Sequence, residues 1–456
     1  MKIRQLHFAL LFVCSCYITP GLFAADSQDK AAAGSSASNQ SVPRYKLTAG
    51  QELIYEGSSH YSYGNGSEKE NATDRTTFWV TGNNPDGSWH IIAQNTQEGE
   101  NRKTFDSFDV FPDGRLTNVP TDPQASTLTA IIAKLPADLD QERAGWEASD
   151  SETKSLYKFD PANAPASGQW IFDKDDKGLF SVIYFFTNRS RIFFETARGL
   201  ITKIERNSAQ GYGINSRGAG LIELKSDSKK SPDWISQFAR ESQLFFKAKA
   251  DLQALYASPK NETNSEDPIA TAEKALTDAR QQVKLPIIDA HFADALARLK
   301  DSAKYLAEEK FQEEQVLNKP AAEWALDDLD GQKHALKDYQ GKIIVLDFWY
   351  RGCGWCIRAM PQIKELAGDF QNKPVVVLGM NTDRQIKDAR FVADKLNLNY
   401  LTLRAEGIPP LYHVQGFPTL ILIDQKGIVR GRHVGYSPTL REEIGKKVNA
   451  LLSTGS

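Results

Sequence analysis

Two of the four cysteines in this 456-residue chain stand as Cys353-Gly354-Trp355-Cys356, and thiols two residues apart can close a disulfide within the first turn of a helix. Helix-forming residues follow at once, Ile357-Arg358-Ala359-Met360 and then Ile363 to Phe370. Cys353 would therefore lie at a helix mouth, where unpaired backbone N–H groups and the helix dipole favour a thiolate. The pair comes directly after the strand-like run Ile343-Ile344-Val345-Leu346-Asp347-Phe348-Trp349. Within that apolar run, side-chain alternation points Asp347 inward beneath the helix start. A carboxylate there would have its pKa raised by desolvation and could take a proton from the inner thiol. The alternative is a buried aspartate satisfied by hydrogen bonds, with no part in chemistry. Gly416-Phe417-Pro418-Thr419 precedes the apolar strand Leu420 to Ile423, and a proline there suits a sharp turn with a cis bond, although the residues alone leave the isomer open. Tyr350 and Trp355 flank the thiols as aromatics able to contact a substrate polypeptide, and core packing accounts equally well for their neighbour Trp349.

Other chemistries for the pair fit poorly. Zinc binding normally needs a second ligand pair, and His60, His90, His291, His334, His413 and His433 are scattered. Covalent haem attachment would need His after Cys356, where Ile357 stands. No metal or cofactor is expected. The charged fraction of 25% and net charge of -3 argue against nucleic acid or a polybasic membrane surface as the main partner.

The elements that must position this centre occupy one end of a multidomain chain. Lys2 and Arg4, the apolar stretch Leu6 to Ile18 and Leu22-Phe23-Ala24-Ala25 predict a signal peptide over residues 1–24. A competing reading makes Val13-Cys14-Ser15-Cys16 a lipoprotein signal with Cys16 lipidated. Either predicts export to the periplasm or cell envelope, and no later stretch is long and apolar enough for a second span. In such an oxidising compartment a lone vicinal pair is a poor structural staple, because the loop it closes is so short. Residues 25–43 read as a flexible linker. Residues 44–230 read as a mainly antiparallel β domain with strands at Glu52 to Glu56, Thr76 to Thr81, Trp89 to Gln94, Lys154 to Phe159, Leu179 to Thr187, Arg191 to Glu195 and Leu200 to Arg206. One helical insert is expected at Leu128 to Leu135. Residues 231–316 form an α-helical connector, opened by Ser231-Pro232 and Asp267-Pro268 caps. Its apolar residues recur seven apart, at Phe238, Phe245 and Leu252 and again at Phe292, Leu299 and Leu306. Residues 317–456 alternate strand and helix, which implies a central, partly parallel sheet covered on both faces.

The stretch from Lys319 to Leu452 resembles the thioredoxin fold, and within it the exported TlpA-like or ResA-like thiol-disulfide oxidoreductases. The motifs are Lys319-Pro320-Ala321, Leu329-Asp330-Gly331-Gln332, Asp347-Phe348-Trp349 with the CxxC, and Tyr412 to Thr419 leading into Leu422-Ile423-Asp424-Gln425-Lys426-Gly427. The resemblance implies Cys353 as attacking thiolate, Cys356 as resolving thiol, Pro418 as a cis-proline facing their redox-active disulfide, and the Phe417 backbone aligning substrate. It also implies disulfide-containing protein substrates, a role in cell redox homeostasis and, for a reductase, a membrane electron donor. The chain departs from the group at Ala359, where a glutamate is common, and at Asp347, which matches classical thioredoxin. Trp355 replaces the usual proline of the dipeptide, so the redox potential is not inherited. A peroxiredoxin-type peroxidase is disfavoured by Tyr350, which stands where its threonine would precede the first cysteine. The rival from another class is a cell-envelope binding protein whose β domain recognises a ligand or polypeptide, with the thioredoxin-like module accessory.

Overall fold

A computed structural model of the chain describes residues 42–63, 66–97, 103–120, 126–149, 153–160, 168–178, 183–184, 186–211, 216–257 and 268–454. The expected signal peptide, the lipidation candidate Cys16 and nearly all of the expected linker lie outside them. The described residues fall into two compact units, 42–296 and 297–454.

The first unit is an eleven-stranded antiparallel sheet. Its strands are β1 (Gln51–Tyr63), β2 (Glu68–Asn83), β3 (Trp89–Gln97), β4 (Lys103–Val110), β5 (Leu116–Thr117), β6 (Trp146–Ser149), β7 (Thr153–Phe159), β8 (Gln169–Gly178), β9 (Thr187–Glu195), β10 (Leu200–Gln210) and β11 (Ser216–Lys229). The spatial order β5-β4-β3-β2-β1-β11-β10-β9-β8-β7-β6 is two meanders joined where β1 pairs with β11. Alternation puts Leu53, Tyr55, Phe78, Val80, Ile192 and Phe194 on one face, in a single core. Helix α1 (Ser126–Thr129) and the residues after it pack into that core, and α2 (Leu139–Ala144) follows. The helix expected from Leu128 to Leu135 is thus corrected to one turn. Beyond it Ile131, Ala133 and Leu135 are buried at a spacing of two, the period of an extended segment, and the Leu135 N–H donates to the Asp113 carbonyl. The expected strand Leu179 to Thr187 falls largely outside the described residues, and Thr187 opens β9.

The opposite face of β2 to β4 is covered by helices. Trp79 meets Phe238 of α3 (Pro232–Ala257), and Phe105 meets Phe238 and Phe245. Helix α4 (Pro268–Arg280) packs on α3, burying Ala272 and Leu276. The first turns of α5 (Pro286–Val316) bring His291 flat against Phe105, with ring centroids 4.0 Å apart.

The second unit holds the cysteine pair. It begins with α5 from Ala297 onward, where Leu299 is buried but Leu306, expected on the same stripe, is 43% exposed. A two-stranded ribbon, β12 (Ala325–Asp327) and β13 (Lys333–Ala335), precedes the central sheet. That sheet comprises β14 (Ile343–Trp349), β15 (Val375–Asn381), β16 (Leu401–Arg404), β17 (Thr419–Ile423) and β18 (Val429–Val434), in the order β16-β15-β14-β17-β18. Strands β14, β15 and β16 are parallel, β17 runs against β14, and β18 runs against β17 and so returns to the direction of the other three. Helices α6 (Gly354–Asp369), α7 (Ile386–Leu396) and α8 (Leu440–Thr454) complete the unit. Every residue of β14 is buried. Ile344, Leu346 and Phe348 pack into one core, while Ile343 and Val345 pack with Ala359 and Ile363 of α6 and Ile444 of α8 into another. A strand buried on both faces explains its continuous apolar sequence.

Candidate active site

The turn Tyr350 to Gly352 carries the chain from β14 to α6. Two backbone bonds fix it: Cys353 N donates to the Tyr350 carbonyl at 3.1 Å, and Arg351 N donates to Oδ2 of the distant Asp383 at 2.9 Å. Cys353 is the N-cap of α6, and its Sγ accepts the Cys356 backbone N–H at 3.1 Å. The two cysteines are joined in a disulfide. Both sulfur-bearing residues are largely covered, Cys353 at 6% exposure and Cys356 at 1%. A thiolate formed on Cys353 would keep the Cys356 N–H donor and lie at the positive end of the helix dipole, both of which favour the anion.

Asp347 is 1% exposed and lies on the face of β14 that packs against α6. Burial raises its carboxyl pKa to about 7, and the one opposing influence is a hydrogen bond from the Tyr400 hydroxyl to Oδ2 at 3.2 Å. Asp347 Oδ1 has no hydrogen-bond partner among the described residues. A group with these properties exchanges a proton near neutral pH, which a carboxylate in water cannot do. A second titratable side chain, the half-buried His433, lies on the same face of the sheet. Leu420 separates the two, pairing with Asp347 on one side and with His433 on the other. Burial lowers the His433 pKa, and the Glu443 carboxylate, 3.8 Å away, opposes that shift.

The Phe417–Pro418 peptide is cis, with Pro418 buried at the entrance to β17. The Thr419 hydroxyl donates to the Gly416 carbonyl at 2.8 Å, closing the turn ahead of that strand. Phe417 stands edge-on to Tyr350 with centroids 5.3 Å apart, and Tyr350 is 37% exposed. Trp355, half-buried, stacks on Tyr436 at 5.7 Å, and the Arg358 guanidinium lies 4.7 Å over its ring. Two aromatic pairs therefore border this unit's cysteine turn. Trp349 belongs to neither pair, since it is fully buried.

Sequence reasoning missed two residues. Arg351, a buried cation two positions before Cys353, pairs with Asp388 of α7 at 3.0 Å and lies 4.1 Å over the Phe391 ring, which fastens the cysteine turn to α7. A lone arginine between an aromatic and Gly352 was the available signal. Tyr400 gave no signal, because its role follows from the order of strands in space. Among the described residues, no group of three or more His, Cys, Asp or Glu could hold a metal ion, and no helix is long and apolar enough to cross a membrane.

A parallel-centred sheet with a cysteine N-capping the helix after its central strand, and a cis-proline at the head of the neighbouring strand, defines the thioredoxin class, and comparison with known proteins agrees. Residues 317–432 match the AhpC/TSA family. Over 118 residues, 25% of this chain and 69% of the relative, the chain is 32% identical to "Thioredoxin-like protein YneN" of Bacillus subtilis. "Thiol-disulfide oxidoreductase ResA" of Geobacillus thermodenitrificans is 33% identical over 112 residues, 24% of this chain and 64% of that protein. Among solved structures, a putative thiol:disulfide interchange protein DsbE from Chlorobium tepidum is 30% identical, covering 30% of this chain and 97% of that one with a TM-score of 0.29. Through its C-terminal domain the chain belongs to the thioredoxin-like thiol-disulfide oxidoreductases.

Proposed function

We propose that the protein is an exported thiol-disulfide oxidoreductase working mainly as a reductase of protein disulfides, with Cys353 as nucleophile, Cys356 as resolving thiol and Asp347 as its base. The Cys353 thiolate attacks a substrate disulfide, forming a mixed disulfide and releasing one substrate thiolate. Cys356 gives its proton to Asp347 and attacks Cys353 Sγ; the bond between Cys353 and the substrate breaks, and the second substrate thiolate leaves and is protonated from water. Two electrons pass from the cysteine pair to the substrate, and a membrane electron donor would restore the dithiol. Pro418 faces the disulfide in this scheme. The Phe417 backbone would align an extended substrate, with Tyr350 and Trp355 contacting its side chains.

The observation that carries the reading is the N-capping position of Cys353, whose sulfur accepts the Cys356 N–H at the start of α6. The reductive direction draws its support from Asp347: a buried carboxyl with its pKa at about 7 can deprotonate the thiol whose attack releases reduced product. Export rests on the basic and apolar pattern of Lys2 to Ile18.

The deciding experiment is an equilibrium titration of the Cys353/Cys356 couple against a dithiothreitol or glutathione buffer. A potential near about -270 mV supports a reductase, and one near about -120 mV would make the protein a disulfide donor. Absence of a two-electron couple would favour the binding-protein reading.

A further inference from the structure

Asp347 lies in a row of paired residues that crosses the whole sheet: Thr402 on β16, Gly379 on β15, Asp347 on β14, Leu420 on β17 and His433 on β18. Its neighbour on β15 is a residue without a side chain. A Cβ added to Gly379 would stand 3.3 Å from Cε2 of Tyr400 and 3.0 Å from both Thr402 Oγ1 and Trp349 Nε1. Tyr400 lies just ahead of β16, two strands from Asp347, and its ring passes over Gly379 to reach the carboxylate. That ring packs against the apolar cluster shared by β14, β15, α6 and α8.

The two carboxylate oxygens are thereby made unequal. Oδ2 accepts the Tyr400 hydroxyl and Oδ1 has no partner among the described residues. Burial and the adjacent Asp347 charge push the phenol well above its ordinary value, so Tyr400 stays a donor throughout the range in which Asp347 titrates. The other titratable groups on elements packed against this face have different engagements. Cys356 of α6 is in the disulfide, and Arg358 of α6 lies over Trp355. His433 of β18 pairs with Glu443 of α8, which also accepts from Ser437 and Thr439. Lys364 of α6 donates to the Leu396 carbonyl.

We propose that Tyr400 is the positioning residue for this proton transfer, holding Oδ2 of Asp347 through its hydroxyl so that Oδ1 receives the Cys356 proton. The inference rests on the reading of Asp347 as the base. It requires two things of the sequence, a hydroxyl-bearing ring at 400 and a glycine at 379 to let it through.

The test is Tyr400→Phe in the full chain, which keeps the ring and removes only the donor. In single-turnover reduction of a peptide disulfide, quenched by alkylation to count the mixed disulfide, the pH midpoint of the resolution step should rise by roughly one unit. Resolution at pH 6.5 should then be about eightfold slower, while the rates above pH 9 converge to within a few-fold. Independently of turnover, the carboxyl-carbon titration of Asp347 in the oxidised chain should move up by the same amount. An unmoved carboxyl midpoint, or a rate lowered equally at all pH values, overturns the role of Tyr400. Asp347→Asn separates this from failure of the base itself. If that variant abolishes the pH dependence while Tyr400→Phe leaves the midpoint in place, the base stands and the Tyr400 inference falls. If Asp347→Asn leaves the profile as it is in the native protein, both fall.

Discussion

Replacing Asp347 by asparagine in the oxidised protein should make the C-terminal unit more stable at alkaline pH than at acid pH, relative to the unchanged chain. The folded-state pKa of about 7 lies roughly three units above the carboxyl's unfolded value. Between about pH 4 and pH 7 the native state therefore holds a proton that the unfolded chain has lost, and stability falls as pH rises through that window. The full loss above pH 7 is about 4 kcal/mol, of which roughly 3 kcal/mol accrues between pH 5 and pH 8.5. Asparagine cannot ionise, so its own burial cost is the same at both pH values and cancels in the comparison. For a domain of this size about 3 °C of melting temperature corresponds to 1 kcal/mol, so the advantage of the variant should grow by about 9 °C from pH 5 to pH 8.5. Calorimetry on the full-length protein reads this directly as the shift of one transition. Cys353 and Cys356 are joined and do not titrate, so they do not contribute. A difference between variant and native protein that is equal at the two pH values would show that Asp347 does not titrate in this window, and the base assignment would go with it.

Cys356→Ser should arrest the reaction at a mixed disulfide on Cys353, visible as a covalent adduct by mass spectrometry that reductant releases; a variant that accumulates no adduct contradicts the assigned order of attack. Glu309→Gln leaves the Arg432 guanidinium, whose side chain is 3% exposed, without its carboxylate and should cost the C-terminal unit about 3 kcal/mol, read as a lower denaturation midpoint. Tyr350→Ala removes the exposed member of an aromatic pair and should raise KM for a folded protein disulfide several-fold with kcat nearly unchanged. Equal loss for a small disulfide such as oxidised dithiothreitol would assign Tyr350 to holding the turn instead.

The C-terminal unit was largely legible because each of its elements is marked locally. The seven apolar residues of β14, the helix grammar after Cys356 and the proline at the start of β17 sit where hydrophobicity or backbone chemistry dictates them. Asp347 stood out because a carboxylate inside an apolar strand is unusual. What escaped depends on pairing between distant segments. Tyr400 matters only because β16 lies beyond β15 and the intervening residue is Gly379, and Arg351 only because α7 packs beside the cysteine turn. In the N-terminal unit, β8 and β11 did not stand out for another reason. They carry polar runs such as Asp173-Lys174-Asp175-Asp176, which place charge on both faces of the strand and are stabilised by cross-strand pairs like Arg191 with Asp173, so hydrophobic alternation is too weak there to reveal a strand.

The pairing of β1 with β11 has a consequence in time. Strand β1 meets β2 soon after both are synthesised, but its other edge must wait for a partner that lies roughly 150 to 180 residues further along the chain. Until residue 229 has emerged, each meander ends in an open row of backbone donors and acceptors, the state in which β proteins are most prone to add strands from other chains. The segment carrying Cys353 and Cys356 is made only after that seam has all its residues, so a growing chain can complete the eleven-stranded sheet before this cysteine pair is synthesised.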